Sequence, residues 1–283
     1  MIRGLYIGAS GMTAQQHRLD ALSNNLANVD VNGYKRDVSA FKAFPELLIR
    51  RMNDDGVYKF PLGSSDMAPV VGKIGTGVEY NESYTVFEQG SFKETGNPYD
   101  VALEDKGFFA VQTPNGIRYT RNGAFTLGKE GFLVTKDGYQ VLGENGPISV
   151  KLNNFKIDEQ GRIFHNLDYA EDPERLVSMR ENEWENMELL DTLMIVRFPR
   201  DRFIKKEGNG FWRETVDSGE AFTLDFGDRP KVQQGFLETS NVSPVKEMVR
   251  MIEVNRAYEA NQKTIQTQDN LLGKLINEVS RFR

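Results

Sequence analysis

Cysteine is absent from this 283-residue chain, and histidine occurs only twice, as His17 and His165. Without thiols there are no disulfides and no thiolate metal sites. Two isolated histidines do not form the spaced ligand set that a zinc site needs. No metal and no cofactor are expected. Long apolar runs are missing too, so no membrane insertion is expected. The opening MIRGLYIGASGMTAQQ has no uninterrupted apolar core before Gln15 and Gln16, and it does not read as a secretory signal. Basic charge is in short supply: 35 Lys and Arg against 41 Asp and Glu leave a formal charge of −6. That balance argues against a general nucleic-acid binder.

Catalytic patterns are equally scarce. GKIGTG at 72–77 is glycine-rich but lacks the Lys-Ser/Thr ending of a P-loop, and it reads as a flexible turn. Asp54-Asp55, Asp100, Glu104-Asp105 and Asp158-Glu159 supply carboxylates in principle for glycoside hydrolysis, but most sit beside turn residues where acids are solvated. No catalytic residue is assigned. The most basic run, Arg197, Arg200, Arg202, Lys205 and Lys206, reads as a charged strand edge guarded against edge pairing, with an anionic partner as the other reading.

What the chain does have is a heptad row at each end. Leu5, Met12, Leu19 and Leu26 recur every seventh residue and Leu22 completes an a/d seam, weakened at Gly4, Gly8 and Gly11. Asn28, Asn32 and Gly33 then supply helix-stop and turn chemistry, followed by the aromatic Tyr34. Near the other end Ser243 reads as N-cap, Pro244 as first helical residue and Glu247 as a first-turn anion. Met251, Tyr258, Ile265 and Leu272 follow at sevens, with Val254 and Leu275 three residues after members of the series and Asn261 as a polar seam position. Pairing both seams in one subunit leaves apolar surface that seeks helices from neighbours.

Between the ends the runs GFFAVQT, IRYTR, GFLVT, YQVLG, ISVKL, LMIVRF and FTLDF read as strands. Pro114-Asn115-Gly116, Asn122-Gly123, Lys136-Asp137-Gly138, Asn145-Gly146 and Asn209-Gly210 read as turns that allow positive φ. Residues 41–76 and the acidic segment 168–191 read as insertions or loops, the latter with a short helix around PERLVSMRENEWENMEL. The fold class expected is α+β: a mainly β central domain of antiparallel strands, with long terminal helices that pair as a coiled-coil-like axial domain. The expected divisions are 1–40 with 237–283, a connecting stretch 41–76, and a β-rich domain 77–236.

Three longer motifs carry a resemblance. AQQ at 14–16 with SNNLANV at 23–29 and GYKR at 33–36, the central DVALEDKGFFAVQTPNGIRYTRNGAFTLGKEGFLVTKDGYQVLG, and the terminal QGFLETSNVSPVKEMVRMIEVNRAYEANQKTIQTQDNLL together resemble the bacterial flagellar rod and hook family. That resemblance implies a structural subunit of the basal-body rod, exported without signal cleavage by the flagellar type III apparatus and stacked helically across the periplasm. Its partners would be copies of itself and other rod and hook subunits. The opening residues and AFPELLIRRM look most like proximal rod proteins, with distal rod proteins next and hook subunits as an alternative. The resemblance also gives Asn24, Asn25 and Asn28 a role in packing, with capping as the simpler reading of Asn28. A different class remains: a β-domain glycan-binding protein or hydrolase with helical extensions, against which the two seams count.

Overall fold

The computed structural model describes residues 2–50, 57–60, 63–66, 70–152, 154–167, 186–224 and 227–281. The chain divides into two compact units. One comprises Met1–Asn24, Val38–Ser83 and Val245–Arg283, the other Asn25–Asp37 and Tyr84–Pro244. The segments 25–37 and 237–244, grouped with the terminal helices in the sequence-based division, thus belong to the second unit.

The first unit holds α1 (Ile2–Ala27), the strands β1 (Asp37–Ala43), β2 (Leu47–Arg50), β3 (Val57–Phe60), β4 (Gly63–Asp66), β5 (Val70–Ile74) and β6 (Val78–Thr85), and α2 (Pro244–Arg281). Proline opens α2 and Glu247 lies in its first turn, as the capping pattern predicts. The stretch 41–76, expected as an insertion or loop, holds the end of β1 and all of β2 to β5, with 44–46 and 75–76 outside any strand. β1 pairs with β6, and nested inside that pair β2 runs antiparallel to β5 and β3 to β4. LLIR and VVGKI are rich in the residues that favour extended backbone, and this outweighs the glycines of GKIGTG, of which residues 72–74 lie in β5. Leu47, Leu48, Ile49, Val71 and Ile74 are all exposed. Ser10 on α1 accepts from the Val78 N–H, and His17 stacks on Tyr80 with ring centroids 4.7 Å apart.

The second unit is built from β7 (Phe92–Glu94), β8 (Val101–Glu104), β9 (Phe108–Thr113), β10 (Gly116–Thr120), β11 (Phe125–Leu127), β12 (Leu133–Thr135), β13 (Gln140–Gly143), β14 (Gly146–Pro147), β15 (Lys156–Ile157), β16 (Arg162–Asn166), β17 (Met187–Thr192), β18 (Ile195–Arg197), β19 (Lys205–Gly208), β20 (Phe211–Arg213), β21 (Phe222–Thr223), β22 (Lys231–Gln234) and β23 (Phe236–Glu238). The main sheet runs β11-β12-β13-β9-β10-β20-β19, with β18 also on β9. Central β9 reads FFAV because it is covered on both faces. Phe109 and Val141 belong to a core with Val101, Phe125 and Ile195; Phe108 and Ala110 face another with Tyr119, Phe198 and Trp212. Around these, β22 pairs β8, β23 pairs β7, and β15-β16-β17 form a small separate sheet.

Three local expectations are revised. Most of the helix expected around PERLVSMRENEWENMEL lies outside the described residues, but its end, Met187–Leu189, lies in strand β17, held against β16. ISVKL forms only isolated bridges, Phe132 to Ser149 and Lys151 to Asn154. Asn122-Gly123 is not a hairpin: Gly123 is needed because a side chain there would run into the Val101 carbonyl.

Candidate functional site

The turn that follows α1 is where the motif residues meet. Gly33 has φ +69°, a left-handed conformation that glycine adopts without penalty. Its N–H donates to the Glu238 carbonyl at 2.8 Å, and a Cβ would stand 2.6 Å from the Arg121 backbone. Asn25 is buried and closes the loop on itself: its Nδ2 donates to the Asp37 carbonyl at 2.8 Å, and its Oδ1 accepts the Asp37 N–H at 2.9 Å and the Tyr34 hydroxyl at 3.1 Å. One side-chain amide thereby stands in for a strand neighbour.

Between Tyr34 and the last strands lies a buried charge cluster. Lys35 Nζ donates to Glu238 Oε1 and to the Glu88 carbonyl, both at 2.7 Å. Arg121 Nε donates to Glu238 Oε2 at 3.0 Å, and its Nη1 reaches the Asp105 and Gly107 carbonyls at 2.7 Å each. The Gly90 N–H completes the carboxylate's shell at 3.0 Å. All three charged side chains are 5% exposed or less. Burial alone would raise the Glu238 carboxyl, but Arg121 and Lys35 outweigh it and hold the group below the ordinary glutamate value. Asn241 adds a neutral clamp, accepting the Arg36 N–H at 2.8 Å and donating to the Val86 and Glu88 carbonyls. Lys206 donates to Asp37 and to the Lys35 carbonyl and sits 4.4 Å from the Tyr34 ring centroid.

The seam residues sit on the two helices. On α1 Leu22 is buried and Leu5, Met12, Leu19 and Leu26 are half-buried. Asn28, also half-buried, lies just past the helix end, and Asn24 is exposed. On α2 Val254 is buried, Met251, Tyr258, Asn261, Ile265 and Leu272 are half-buried, and Leu275 is exposed. The glycines of α1 are sites of approach rather than weak points. A Cβ on Gly8 would lie 2.9 Å from Ile265 Cγ1 and one on Gly11 2.9 Å from Asn261 Nδ2, while Gly4 faces Gln268. Residue numbers rise along one helix as they fall along the other, so the contacts are antiparallel. Asn25, Gly33 and Tyr34 are not on this seam; the structure brings them together in the turn of the second unit.

The sequence reading missed Lys35, Arg121, Glu238 and Asn241 as a group. Each lay inside a quoted motif, GYKR, YTRNG or LETSN, but nothing local says that three charges separated by so much chain share one site. A further row was missed: Val245, Met248, Val249 and Ile252 are all at least half exposed. At about 100° per residue they fall on the side of α2 opposite the seam. Four of the five residues of the basic run have partners within their own unit. Arg197 pairs with Asp105, Arg202 lies over Tyr84, Arg200 over Phe203, and Lys206 is described above. Among the described residues no group of three or more His, Asp or Glu is placed to hold a metal, and no helix is long and apolar enough to cross a membrane.

Comparison with known proteins gives three family matches. Residues 5–35 match the description Flagella basal body rod protein, 102–165 match Flagellar hook protein FlgE/F/G D1 domain, and 233–278 match Flagellar basal body rod FlgEFG protein C-terminal. The flagellar basal-body rod protein FlgG of Borreliella burgdorferi is 34% identical over 99% of this chain and 100% of its own length. FlgG of Buchnera aphidicola from Schizaphis graminum is also 34% identical, over 97% of this chain and 99% of its own. The flagellar hook-basal body complex protein FlhO of Bacillus subtilis is 33% identical over the whole of both chains.

Proposed function

The chain belongs to the flagellar basal-body rod and hook family, and from that premise we propose that it is a structural subunit of the rod that polymerises through its terminal helices. The observation that carries this is the double-sided α2. One row of the helix is shielded at alternating three- and four-residue steps, while Val245, Met248, Val249 and Ile252 lie exposed on the opposite side. Apolar rows of this kind are interaction surfaces in waiting. In this reading α1 and α2 pair as a coiled-coil-like axial element, and neighbouring subunits cover the outer row. Leu5, Met12, Leu19, Leu22, Met251, Val254, Tyr258, Asn261, Ile265, Leu272 and Leu275 carry the helix contacts. Asn25, Gly33 and Tyr34 act through the shape of the turn, and Asn24 and Asn28 flank it.

The same reading makes the protein non-enzymatic and its partners other axial subunits, with export by the flagellar type III apparatus and residence in the periplasmic part of the basal body. In this reading the axial part, expected at 1–40 and 237–283, is drawn more narrowly at 1–24 and 245–283, which the grouping of 25–37 and 237–244 with the β-rich unit supports. The FlgG names of the relatives weigh toward a FlgG-like, distal position over the proximal one suggested by the opening residues. The test is complementation of a strain lacking the gene with Leu22→Asp and Ile265→Asp. Loss of rods and motility with a folded β unit is the expected result, and normal rods from either variant would sink the proposal.

A further inference from the structure

Glu238 lies on β23, while the two cations it neutralises come far earlier in the chain, Lys35 by 203 residues and Arg121 by 117. Remove Glu238 from the cluster and what remains is two buried positive charges facing one point, held by the Glu88, Asp105 and Gly107 carbonyls and by the weaker pull of the Glu88 carboxylate on Lys35. Carbonyl dipoles do not replace a full counter-charge in a buried site. A partly folded unit that closed around Lys35 and Arg121 before β22 and β23 docked would hold that pair without its main counter-charge.

We propose that Glu238 is a completion lock: its carboxylate makes closure of the central strands and docking of the last strand one event. An ordinary apolar terminal strand adds stability to a sheet already formed. Here the core around β9 and β10 is closed to itself until the counter-charge arrives, because Arg121 directly follows β10 and Lys35 reaches the same carboxylate. The device regulates when the unit folds, so a chain made or threaded from its N-terminus stays open until its final strand is available. It holds whatever the subunit assembles with.

The test is refolding of the full chain followed by pulse-labelled hydrogen exchange. In the unaltered protein, amides of Phe108–Thr120 and Phe236–Glu238 should gain protection in one phase at one rate. In the triple variant K35M/R121M/E238M, which buries no charge at the site, Phe108–Thr120 should gain protection about tenfold or more ahead of Phe236–Glu238. Glu238→Gln, which keeps shape and removes charge, should slow both segments together. Early protection of the central strands in the unaltered protein overturns the lock, and so does a single shared phase in the triple variant. If Glu238→Gln does not fold at all, the comparison of the other two proteins still decides.

Discussion

Lys35 and Glu238 stand 203 positions apart in the sequence, and their charged atoms are 2.7 Å apart with side chains about 1% exposed. A pair so fully withdrawn from water is not a large source of net stability, but breaking it is costly. Lys35→Met should destabilise the protein by about 3–5 kcal/mol, because Glu238 then keeps only Arg121 and the Gly90 N–H. Urea unfolding of the full chain, read as a shift in midpoint at constant slope, measures it; a shift under about 1 kcal/mol would show that the site relaxes and admits water.

The direction of the Glu238 shift fixes an acid dependence. Because the folded carboxyl titrates below its unfolded value, the stabilisation is present above the unfolded glutamate pKa of about 4.3 and is lost as pH falls through the folded value. Unfolding free energy measured from neutral to acid pH should fall less steeply in Glu238→Gln than in the unaltered protein. Parallel profiles would remove Glu238 from the acid response.

Tyr119 acts at the opposite end of the scale. Burial first, then the charge and hydrogen bond of Glu214, push its hydroxyl up to about 12. A raised folded pKa means stability that is complete below the unfolded value of about 10 and is lost as pH climbs toward the folded one. Tyr119→Phe should flatten the alkaline decline, and ultraviolet titration should lose one late-ionising tyrosine. An unchanged titration curve would contradict the burial.

Gly8 and Ile265 should be energetically coupled. Gly8→Val places atoms where Ile265 Cγ1 already sits, and overpacking of this kind costs about 1–3 kcal/mol. In combination with Ile265→Ala, part of that cost should disappear. A double-mutant cycle on melting of the helical signal would give a coupling of about 0.5 kcal/mol or more. Strict additivity would mean that the two faces do not meet in solution.

Gly33 and Asn32 separate backbone need from side-chain chemistry. Gly33→Val meets both the left-handed φ and the Arg121 backbone, whereas Asn32 is only half-buried. Gly33→Val should weaken swimming far more than Asn32→Ala, and equal swimming would strip the turn of its role.

Much of the architecture was legible because it is periodic. The sevens of Leu5 to Leu26 and of Met251 to Leu272 lie on α1 and α2, and FFAVQT is a strand buried on both sides. Illegible features were those set by distant chain. LLIR and VVGKI carry residues that favour extended backbone, but the ribbon they build shows only when one is laid beside the other in register, Leu47 on Ile74. Asn25 lies within a helical run, yet its amide works for Asp37, twelve residues on. Lys35, Arg121 and Glu238 have no local pattern at all, since a charge gives no sign of its partner until the fold brings them together.

The clamp around Tyr34 and Asn241 has a mechanical consequence. The segment entering the β unit and the segment leaving it are tied to each other: Gly33 to Glu238, Tyr34 to Asn241, and Arg36 to Asn241. Tension arriving along one of these segments can pass to the other through those bonds without travelling around the strands between. Pulling these two segments apart therefore strains the bonds between them first and the sheet last. Damage under load should begin at Asn241 and Glu238, and the interior of the β unit should remain intact when those bonds give way.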